Sequence, residues 1–328
     1  MDLILHTFGT ALSRDNSGFV VLTKNGEKKR LSPDGIDTIQ ISRGIQITSD
    51  AILLALEKGI EILIVEKNGN PAGRFWSAKY GSVSTIRKGQ LIFCSSPAAV
   101  KWIKRTIEKK ILNQQALLLA LSTDSPQEQH SVDKSVSRLE EFIIKIKNLE
   151  DLQMRDIAAQ LRGWEGYASK LYFETINLFL PSQYQFPSRS QHPALDVANA
   201  MFNYGYGILY GKIETELIAS GIDPYIGILH RDEYNRPVLV YDFIEPYRIW
   251  VDYVVMSILC QEIITDEYYS VQADGSVVLE SLGRRVLIQS MNDYLDEVIV
   301  ERGLSRSRIS HLQLAAQDLA QVFKNSYT

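Results

Sequence analysis

Residues 95–111 read SSPAAVKWIKRTIEKKI and mark the point where the chain changes from strand-like to helical patterning. Ser96 followed by Pro97 is typical of a helix start, because serine caps the first turn and proline suits a position whose N–H has no helical partner. The apolar residues that follow recur at helical spacing: Val100, Ile103, Ile107 and Ile111. This stretch therefore predicts a helix with one buried face.

Upstream of this helix the chain reads mainly as β-structure. Runs rich in β-branched and aromatic residues predict strands at 3–7, 19–24, 38–41, 45–48 and 60–65. Asn25-Gly26 and Asn68-Gly69 favour hairpins, because glycine accepts the positive φ that these turns require. A single short helix is expected over residues 50–58, capped by Ser49 and ended by Gly59.

Downstream the patterning is helical almost throughout. Helices are predicted at 136–148, 151–180, 193–220, 242–265, 281–302 and 305–325, with a polar loop over 123–133 and a hairpin near 270–279. The expected fold class is therefore α+β. A small N-terminal β-domain would span residues 1–90, and a larger all-α domain would span 91–328.

Composition excludes some classes of protein. The 328 residues carry a net charge of −4, so nucleic-acid binding would depend on local basic patches rather than on the charge of the whole chain. The two cysteines, Cys94 and Cys260, fit a reducing compartment and exclude a zinc site built from cysteines. No leader is recognised and no apolar run is long enough to span a bilayer, so a cytoplasmic protein is expected.

A carboxylate in an apolar helical pattern is the first candidate for chemistry. Glu165 borders a stripe formed by Leu161, Trp164, Ala168 and Leu171. An acid at such a place is costly to bury unless a partner neutralises it. The alternative is a glutamate at the edge of the stripe that reaches water.

A histidine and two further acids follow in the chain. His230 ends the apolar run Ile226–Leu229, where the alternative to a ligand is a buried histidine with its hydrogen bonds satisfied. Asp242 and Glu245 are three residues apart, so both can face one side of a first helical turn before Pro246. The alternative for this pair is a capping box, with Asp242 as N-cap and Glu245 at the third position.

A polar stripe runs along the helix predicted to start at residue 193. It consists of Asp196, Asn199, Asn203, Tyr206 and Tyr210, at steps of three and four residues. This face has no lysine or glutamate before Glu214, which is unusual for a face that only meets solvent. The stripe is therefore interpreted either as a solvated face or as a wet functional groove.

Several linked motifs resemble one family. They are PALDVANA at 193–200, NYGY at 203–206, GIDPYIGILH at 221–230, DFIEPYR at 242–248 and, near the N-terminus, ISRGIQITSDAI at 41–52. Together these motifs closely resemble the CRISPR adaptation integrase, the DNA-joining nuclease of the two-protein core that captures new spacers. The resemblance spans most of the chain and implies the same pairing of a β-domain with a helical domain.

The resemblance also implies the site. Its metal triad would be Glu165, His230 and Glu245, with Asp242 as a nearby acid. Two carboxylates suit Mg²⁺ or Mn²⁺, and the imidazole shifts the preference toward Mn²⁺. The implied reaction is attack by a 3′-hydroxyl of a captured DNA fragment on a phosphodiester at the CRISPR repeat. Implied partners are DNA, a second copy of the chain bound through the β-domain, and a smaller adaptation protein.

Candidate DNA contacts lie on two other parts of the chain. Lys101, Lys104 and Arg105, followed by Lys109 and Lys110, are predicted to crowd the face of the first long helix opposite its isoleucine stripe. This face is interpreted either as solvated or as a phosphate-binding ridge.

A second set lies nearer the predicted metal ligands. Arg248, one turn from Glu245, is expected to bind a phosphate. Tyr210 and Tyr241 are expected to stack on a base or to donate a hydrogen bond to a phosphate.

Two other functions stay open at this point. The first is a nuclease that cleaves branched or single-stranded DNA without integrating it, since the same triad would serve. The second is a non-catalytic DNA-binding scaffold that organises a complex. A strand-transfer assay separates the first from an integrase, and a lack of any response to Mn²⁺ would favour the second.

Overall fold

The protein, represented by a computed structural model, is described at residues 2–36, 38–66, 71–75, 84–121, 125–150, 153–230 and 236–327. The chain divides into two units, Met1–Val83 and Ser84–Thr328. The first is built mainly of strands and the second mainly of helices, which confirms the α+β class. The boundary expected at residue 90 lies inside a helix of the second unit, Ser84–Cys94.

The first unit contains two four-stranded sheets. Its elements are β1 (Asp2–Leu5), β2 (Ala11–Asp15), β3 (Gly18–Leu22), β4 (Lys28–Leu31), β5 (Thr38–Ser42), β6 (Gln46–Ile47), α1 (Ser49–Lys58), β7 (Glu61–Val65) and β8 (Pro71–Phe75). One sheet has the order β1-β5-β7-β8, in which only the β7–β8 pair is antiparallel. The other has the order β4-β3-β2-β6, in which only the β2–β6 pair is parallel.

Local sequence signals explain this unit. Asn25-Gly26 joins the antiparallel strands β3 and β4, as predicted, whereas Asn68-Gly69 lies outside the described residues. Helix α1 is capped by Thr48 rather than by Ser49, and it ends at Gly59 with φ +73°. The core of the unit brings residues of both sheets together with α1, and includes Leu12, Phe19, Ile39, Ile62 and Ala51.

The second unit is a helical assembly with two small hairpins. Its elements are α2 (Ser84–Cys94), α3 (Pro97–Ala120), α4 (Pro126–Asn148), α5 (Met154–Asn177), α6 (Val197–Ala219), α7 (Val238–Ile244), α8 (Arg248–Cys260), β9 (Tyr269–Val271), β10 (Val277–Leu279), α9 (Ser281–Asp296), β11 (Val298–Glu301), β12 (Leu304–Ser307) and α10 (Arg308–Tyr327). A 3-10 turn, Glu245–Tyr247, joins α7 to α8. No helix in the described ranges is both long and apolar enough to cross a membrane.

Helix α3 packs against α4, α5, α8 and the 3-10 turn. The predicted start is confirmed, because Ser96 Oγ accepts a hydrogen bond from the backbone N–H of Ala99 at 3.4 Å and Pro97 occupies the first turn. The predicted stripe is also confirmed, since Val100, Ile103, Ile107 and Ile111 are all buried. This helix is therefore the central support of the second unit.

Several predictions of local structure were wrong. The single helix predicted over 242–265 is divided into the end of α7, the 3-10 turn and α8, which ends at Cys260. Residues 126–133 are not a loop, because α4 begins at Pro126 with Ser125 as its N-cap. Residues 298–302 are not helical. They form the hairpin β11–β12, whose turn places Arg302 (φ +52°) and Gly303 (φ +77°) in the left-handed region that a two-residue turn requires. The hairpin expected near 270–279 is confirmed as β9–β10.

Candidate active site

Two of the predicted ligands meet at a lysine. Glu165 lies on α5 and Glu245 lies at the start of the 3-10 turn after α7. The ammonium group of Lys110, on α3, forms a short ion pair with Glu165 and lies 2.5 Å from Oε2 of Glu245. The side chain of Lys110 is only 7% exposed, against 25% for Glu165 and 9% for Glu245. The two acids and the lysine thus form one largely buried cluster.

The predicted position of Lys110 is wrong. The sequence pattern predicts Lys110 opposite the isoleucine stripe, but this lysine lies on the buried face with Ile103 and Ile107, three residues after the latter. Burial alone would lower the pKa of Lys110, but the charges of Glu165 and Glu245 outweigh it and raise the pKa. A basic residue in phase with an apolar stripe was the signal that could have identified it.

A second cation holds Glu245. The Nε–H of Arg248 donates to Oε1 of Glu245 at 3.0 Å. Burial would raise the pKa of Glu245, but Arg248 and Lys110 outweigh it and lower the pKa to about 2. Glu245 is therefore ionised at neutral pH even though it is buried. A carboxylate must be ionised to bind a cation.

His230 is held by Asp242 rather than by the other two acids. Its Nδ1 lies 2.7 Å from Oδ1 of Asp242. The same carboxylate accepts backbone N–H bonds from Ile228 at 2.7 Å, from Leu229 at 3.1 Å and from His230 at 3.1 Å. Burial would lower the pKa of His230, but the hydrogen bond to Asp242 and the nearby carboxylate charges raise it. Asp242 thus fixes both the backbone and the ring of the segment that carries His230.

The turn before His230 depends on a glycine. A β-carbon at Gly227 would lie 2.1 Å from the carbonyl oxygen of His230 and 2.9 Å from Cγ2 of Val238. Both distances are shorter than any van der Waals contact. Glycine therefore allows the backbone to fold tightly enough for Asp242 to reach three successive N–H groups.

The capping-box interpretation of Asp242 and Glu245 was wrong. Helix α7 starts at Val238, after Pro237, so Asp242 lies inside the helix and not at its N-cap. Glu245 follows the last residue of α7 and begins the 3-10 turn. Both carboxylates point to partners outside their own helix, which frees them for roles in the site.

The cluster has one acceptor whose geometry suits a further cation. Oε2 of Glu245 is buried and has no well-directed hydrogen bond, although Lys110 Nζ lies 2.5 Å away. Within the described part of the chain, no three acidic, histidine or cysteine side chains already stand grouped as a metal site. The structure thus connects Glu165 and Glu245 through Lys110. His230 pairs with Asp242 and not with these two acids.

The first half of the polar stripe on α6 binds the chain segment that precedes the helix. Asp196 is the N-cap of α6 and accepts from the backbone N–H of Asn199 at 2.7 Å. Asn199 is fully buried and, like Asn203, accepts a hydrogen bond from the guanidinium of Arg189. Asn203 also donates to the carbonyl of Ser190 at 2.9 Å. Neither a solvated face nor a wet groove describes these residues.

The second half of the stripe reaches the site. The hydroxyl of Tyr206 donates to the buried Asp252 of α8. The hydroxyl of Tyr210 donates to the carbonyl of Pro237 at 3.1 Å, and its ring lies 5.1 Å from the ring of Tyr241. The ring of Tyr241 in turn lies 5.8 Å from that of His230. Of the two tyrosines predicted to contact DNA, Tyr241 is thus beside the histidine, and Tyr210 packs against Tyr241.

The basic residues predicted at the start of α3 are only partly exposed. Lys101 and Arg105 are exposed, but the ammonium of Lys104 donates to the carbonyl of Leu149 at 2.5 Å. Lys109 pairs with Glu301 at 3.4 Å. Lys101 and Arg105 are thus the exposed members of the predicted ridge.

Three solved structures share this fold. A chain described as "Casposase bound to integration product" matches with a TM-score of 0.83 at 20% identity, covering 99% of this chain and 90% of that one. A CAS1 protein from Thermotoga maritima matches with a TM-score of 0.80 at 16% identity, covering 98% and 96%. A chain of a "Cas6-RT-Cas1--Cas2 complex" matches with a TM-score of 0.80 at 22% identity, covering 99% of this chain and 35% of that chain.

Sequence comparison is consistent with the shared fold. A CRISPR-associated endonuclease Cas1 1 from Archaeoglobus fulgidus is 29% identical over 330 residues, covering 97% of this chain and 95% of that protein. Another, from Francisella tularensis subsp. novicida, is 28% identical over 260 residues, covering 78% of each. The family model for the CRISPR associated protein Cas1 matches residues 3–293. Because this match includes most of the chain, the protein belongs to the Cas1 family.

Proposed function

We propose that the protein joins DNA strands at a site made by Glu165, His230 and Glu245, inserting captured fragments into a CRISPR array. The observation that carries this proposal is the meeting of two carboxylates, from α5 and from the 3-10 turn, with the buried Lys110 and the partly buried Arg248. The relatives named as endonucleases and the fold shared with a casposase support the same class of reaction.

A divalent metal ion, Mg²⁺ or Mn²⁺, fits the donor set. Glu165 and Glu245 supply carboxylate oxygens, and Oε2 of Glu245 is buried without a well-directed hydrogen bond. His230 would be the third ligand through Nε2, because its Nδ1 is held by Asp242. A bound ion would neutralise charge that develops on the phosphate and would orient its oxygens. Asp242 is proposed as a positioning residue that fixes the ring of His230.

Two cationic side chains of the protein, Lys110 and Arg248, would add to the stabilisation of a bound phosphate. Lys110 and Arg248 both contact Glu245, so positive charge is concentrated at the point where the phosphate would bind. In strand transfer a DNA 3′-hydroxyl attacks the phosphorus atom, a new P–O bond forms, and the bond to the leaving 3′-oxygen breaks. The proton of the attacking hydroxyl is lost and the leaving oxygen gains one. Because one phosphodiester bond is exchanged for another, no outside energy source is required.

DNA and protein partners belong to the same proposal. Arg248, Tyr210 and Tyr241 would contact the DNA at the site, and Lys101 and Arg105 would contact its backbone farther away. A smaller Cas2-type partner is supported by the solved Cas6-RT-Cas1--Cas2 complex, one chain of which shares this fold. We further propose that the first unit, Met1–Val83, forms the contact between two copies of the chain.

Strand transfer with single-site variants tests the proposal. A labelled fragment with a 3′-hydroxyl is incubated with repeat-containing DNA, Mn²⁺ and the partner, and the joined product is measured. Glu165→Ala, His230→Ala and Glu245→Ala should each abolish joining while the circular dichroism spectrum stays unchanged. Glu174→Ala, an exposed acid on the same helix as Glu165, is the matched control and should join DNA normally.

The outcomes separate the three functions. Loss of joining with a fragment that lacks its 3′-hydroxyl identifies that group as the nucleophile. Cleavage without joining by the wild-type chain would favour a nuclease that does not integrate. DNA binding with neither reaction would favour a scaffold, and full activity in all three alanine variants would refute the site.

A further inference from the structure

Arg248 is held on two sides. Its Nε–H donates to Glu245 at 3.0 Å, and its guanidinium lies 5.0 Å from the centre of the Tyr206 ring. A guanidinium over an aromatic face is attracted to the negative charge of the π-system. The orientation of Arg248 therefore depends on Tyr206, which is on a different helix, as well as on Glu245.

Tyr206 is held in turn by Asp252. Asp252 lies on α8 one turn beyond Arg248, is 1% exposed, and accepts the hydroxyl hydrogen bond of Tyr206 at Oδ1. Its other oxygen accepts from Tyr172 on α5 at 3.0 Å. Glycine at position 205 lets helices α6 and α8 come close enough for this contact. A β-carbon there would lie only 2.6 Å from the side chain of Val251.

The charge of Asp252 is costly at this place. Burial raises the pKa of Asp252 to about 6, against the lowering effect of the two tyrosine hydrogen bonds and of two nearby arginines. Both hydrogen-bond donors are neutral hydroxyls, so a neutral side chain could satisfy the geometry with less desolvation. A buried carboxylate adds something that a neutral group does not. It polarises the phenol O–H and makes the ring face of Tyr206 more negative toward Arg248.

We propose that Asp252 is a positioning residue that acts through Tyr206 to fix Arg248 beside Glu245 for contact with a DNA phosphate. This inference rests on the proposed function only in its last step, the contact with DNA. The chain of contacts Asp252–Tyr206–Arg248–Glu245 runs through α8, α6 and the 3-10 turn without a gap. Arg189 also lies near this ring, with its guanidinium 5.9 Å from the ring centre.

Tyr172 offers a matched control within the cluster. It donates to Asp252 as Tyr206 does, and both side chains are half-buried or buried. The ring contact of Tyr172 is with Phe173, at 5.1 Å, and not with Arg248. Tyr172→Phe should therefore cost stability without loosening Arg248. A purely structural role for Asp252 predicts that Tyr172→Phe and Tyr206→Phe behave alike.

The first measurement does not require DNA. ¹⁵N relaxation of the Arg248 Nε–H reports whether this side chain is rigid on the ps–ns timescale. In Asp252→Asn and in Tyr206→Phe the order parameter should fall clearly below the wild-type value, and in Tyr172→Phe it should not change. An unchanged order parameter in Asp252→Asn, or an equal fall in Tyr172→Phe, overturns the proposal whether or not the chain joins DNA.

The second measurement is strand transfer at saturating DNA. Asp252→Asn should slow joining about tenfold, the size expected for loss of a partly desolvated cation–π contact. Tyr206→Phe should slow it in the same direction, and it carries the test if Asp252→Asn does not fold. A wild-type rate in a folded Asp252→Asn protein contradicts the role in DNA joining. An inactive wild-type chain refutes the proposed function instead, and the relaxation result then decides the positioning role by itself.

Discussion

Replacing Lys110 by methionine should destabilise the protein strongly. Methionine keeps most of the side-chain volume but removes the ammonium group that contacts both Glu165 and Glu245. Glu245 would remain buried near a second acid with only Arg248 as a partner. Breaking a buried ion pair by removing one member typically costs about 3–5 kcal/mol, because the remaining charge is left uncompensated.

The lowered pKa of Glu245 implies a free energy of the same order. Its fall from 4.5 to about 2 in the folded state corresponds to about 3 kcal/mol for Arg248 and Lys110 together, and the lost contact of Lys110 with Glu165 adds to the share of Lys110. Because the folded-state pKa is lowered, this stability is present above pH 4.5 and is lost as the pH falls toward about 2. The difference between wild type and Lys110→Met should therefore narrow as the pH falls below about 4.5.

Urea unfolding in the presence of a chelator is the assay. We expect Lys110→Met to lose about 3 kcal/mol at pH 7, with an unchanged dependence on urea concentration. Lys109→Met is the matched control, since Lys109 is 45% exposed and its partner Glu301 is 36% exposed, and it should lose less than about 1 kcal/mol. Equal losses in the two variants, or a loss below about 1 kcal/mol for Lys110→Met, would refute the reasoning.

Three further predictions follow. Gly227→Ala should lower the thermal midpoint and strand transfer together, whereas Gly207→Ala, whose β-carbon would meet nothing within 4 Å, should stabilise helix α6 by up to about 1 kcal/mol in a melting curve. The raised pKa of His230 implies stability that is fully present below its ordinary value of 6.5 and lost as the pH rises through the folded-state pKa, so Asp242→Asn should flatten this dependence in chelated buffer. Arg105→Ala should weaken DNA binding for all sequences and lower the slope of log affinity against log salt by about 1; an unchanged slope would exclude a phosphate contact.

Local signals were reliable at some helix ends and misleading at others, since neither Ser49 nor Asp242 is an N-cap. Ser96-Pro97 was recognised as a helix start, and the structure confirms it. Ser125-Pro126 is the same signal. The polar residues after it predict a loop, but the structure has the first turns of α4 there. Polarity alone does not argue against a helix whose buried face begins later, as it does at Val132.

The site was harder to predict, for a reason visible in Lys110. Each acid was identified in its own segment, but the lysine that joins Glu165 to Glu245 comes from another helix, 55 residues from Glu165. A charged residue on an apolar stripe is recognisable only if the phase of the helix is tracked strictly. Lys110 follows Ile107 by three residues, and this spacing puts its side chain on the buried face of α3.

The position of Lys110 has a consequence for mutational scanning of this protein. Helix α3 supports the packing of the second unit and also carries a charge of the proposed site, so its rotation about its own axis determines where that charge lies. Substitutions that shrink Ile103 or Ile107 would move Lys110 without touching any DNA contact. A scan scored by strand transfer should therefore show sensitive positions along α3 with a period of three to four residues, and enzyme engineers should treat that stripe as part of the active site.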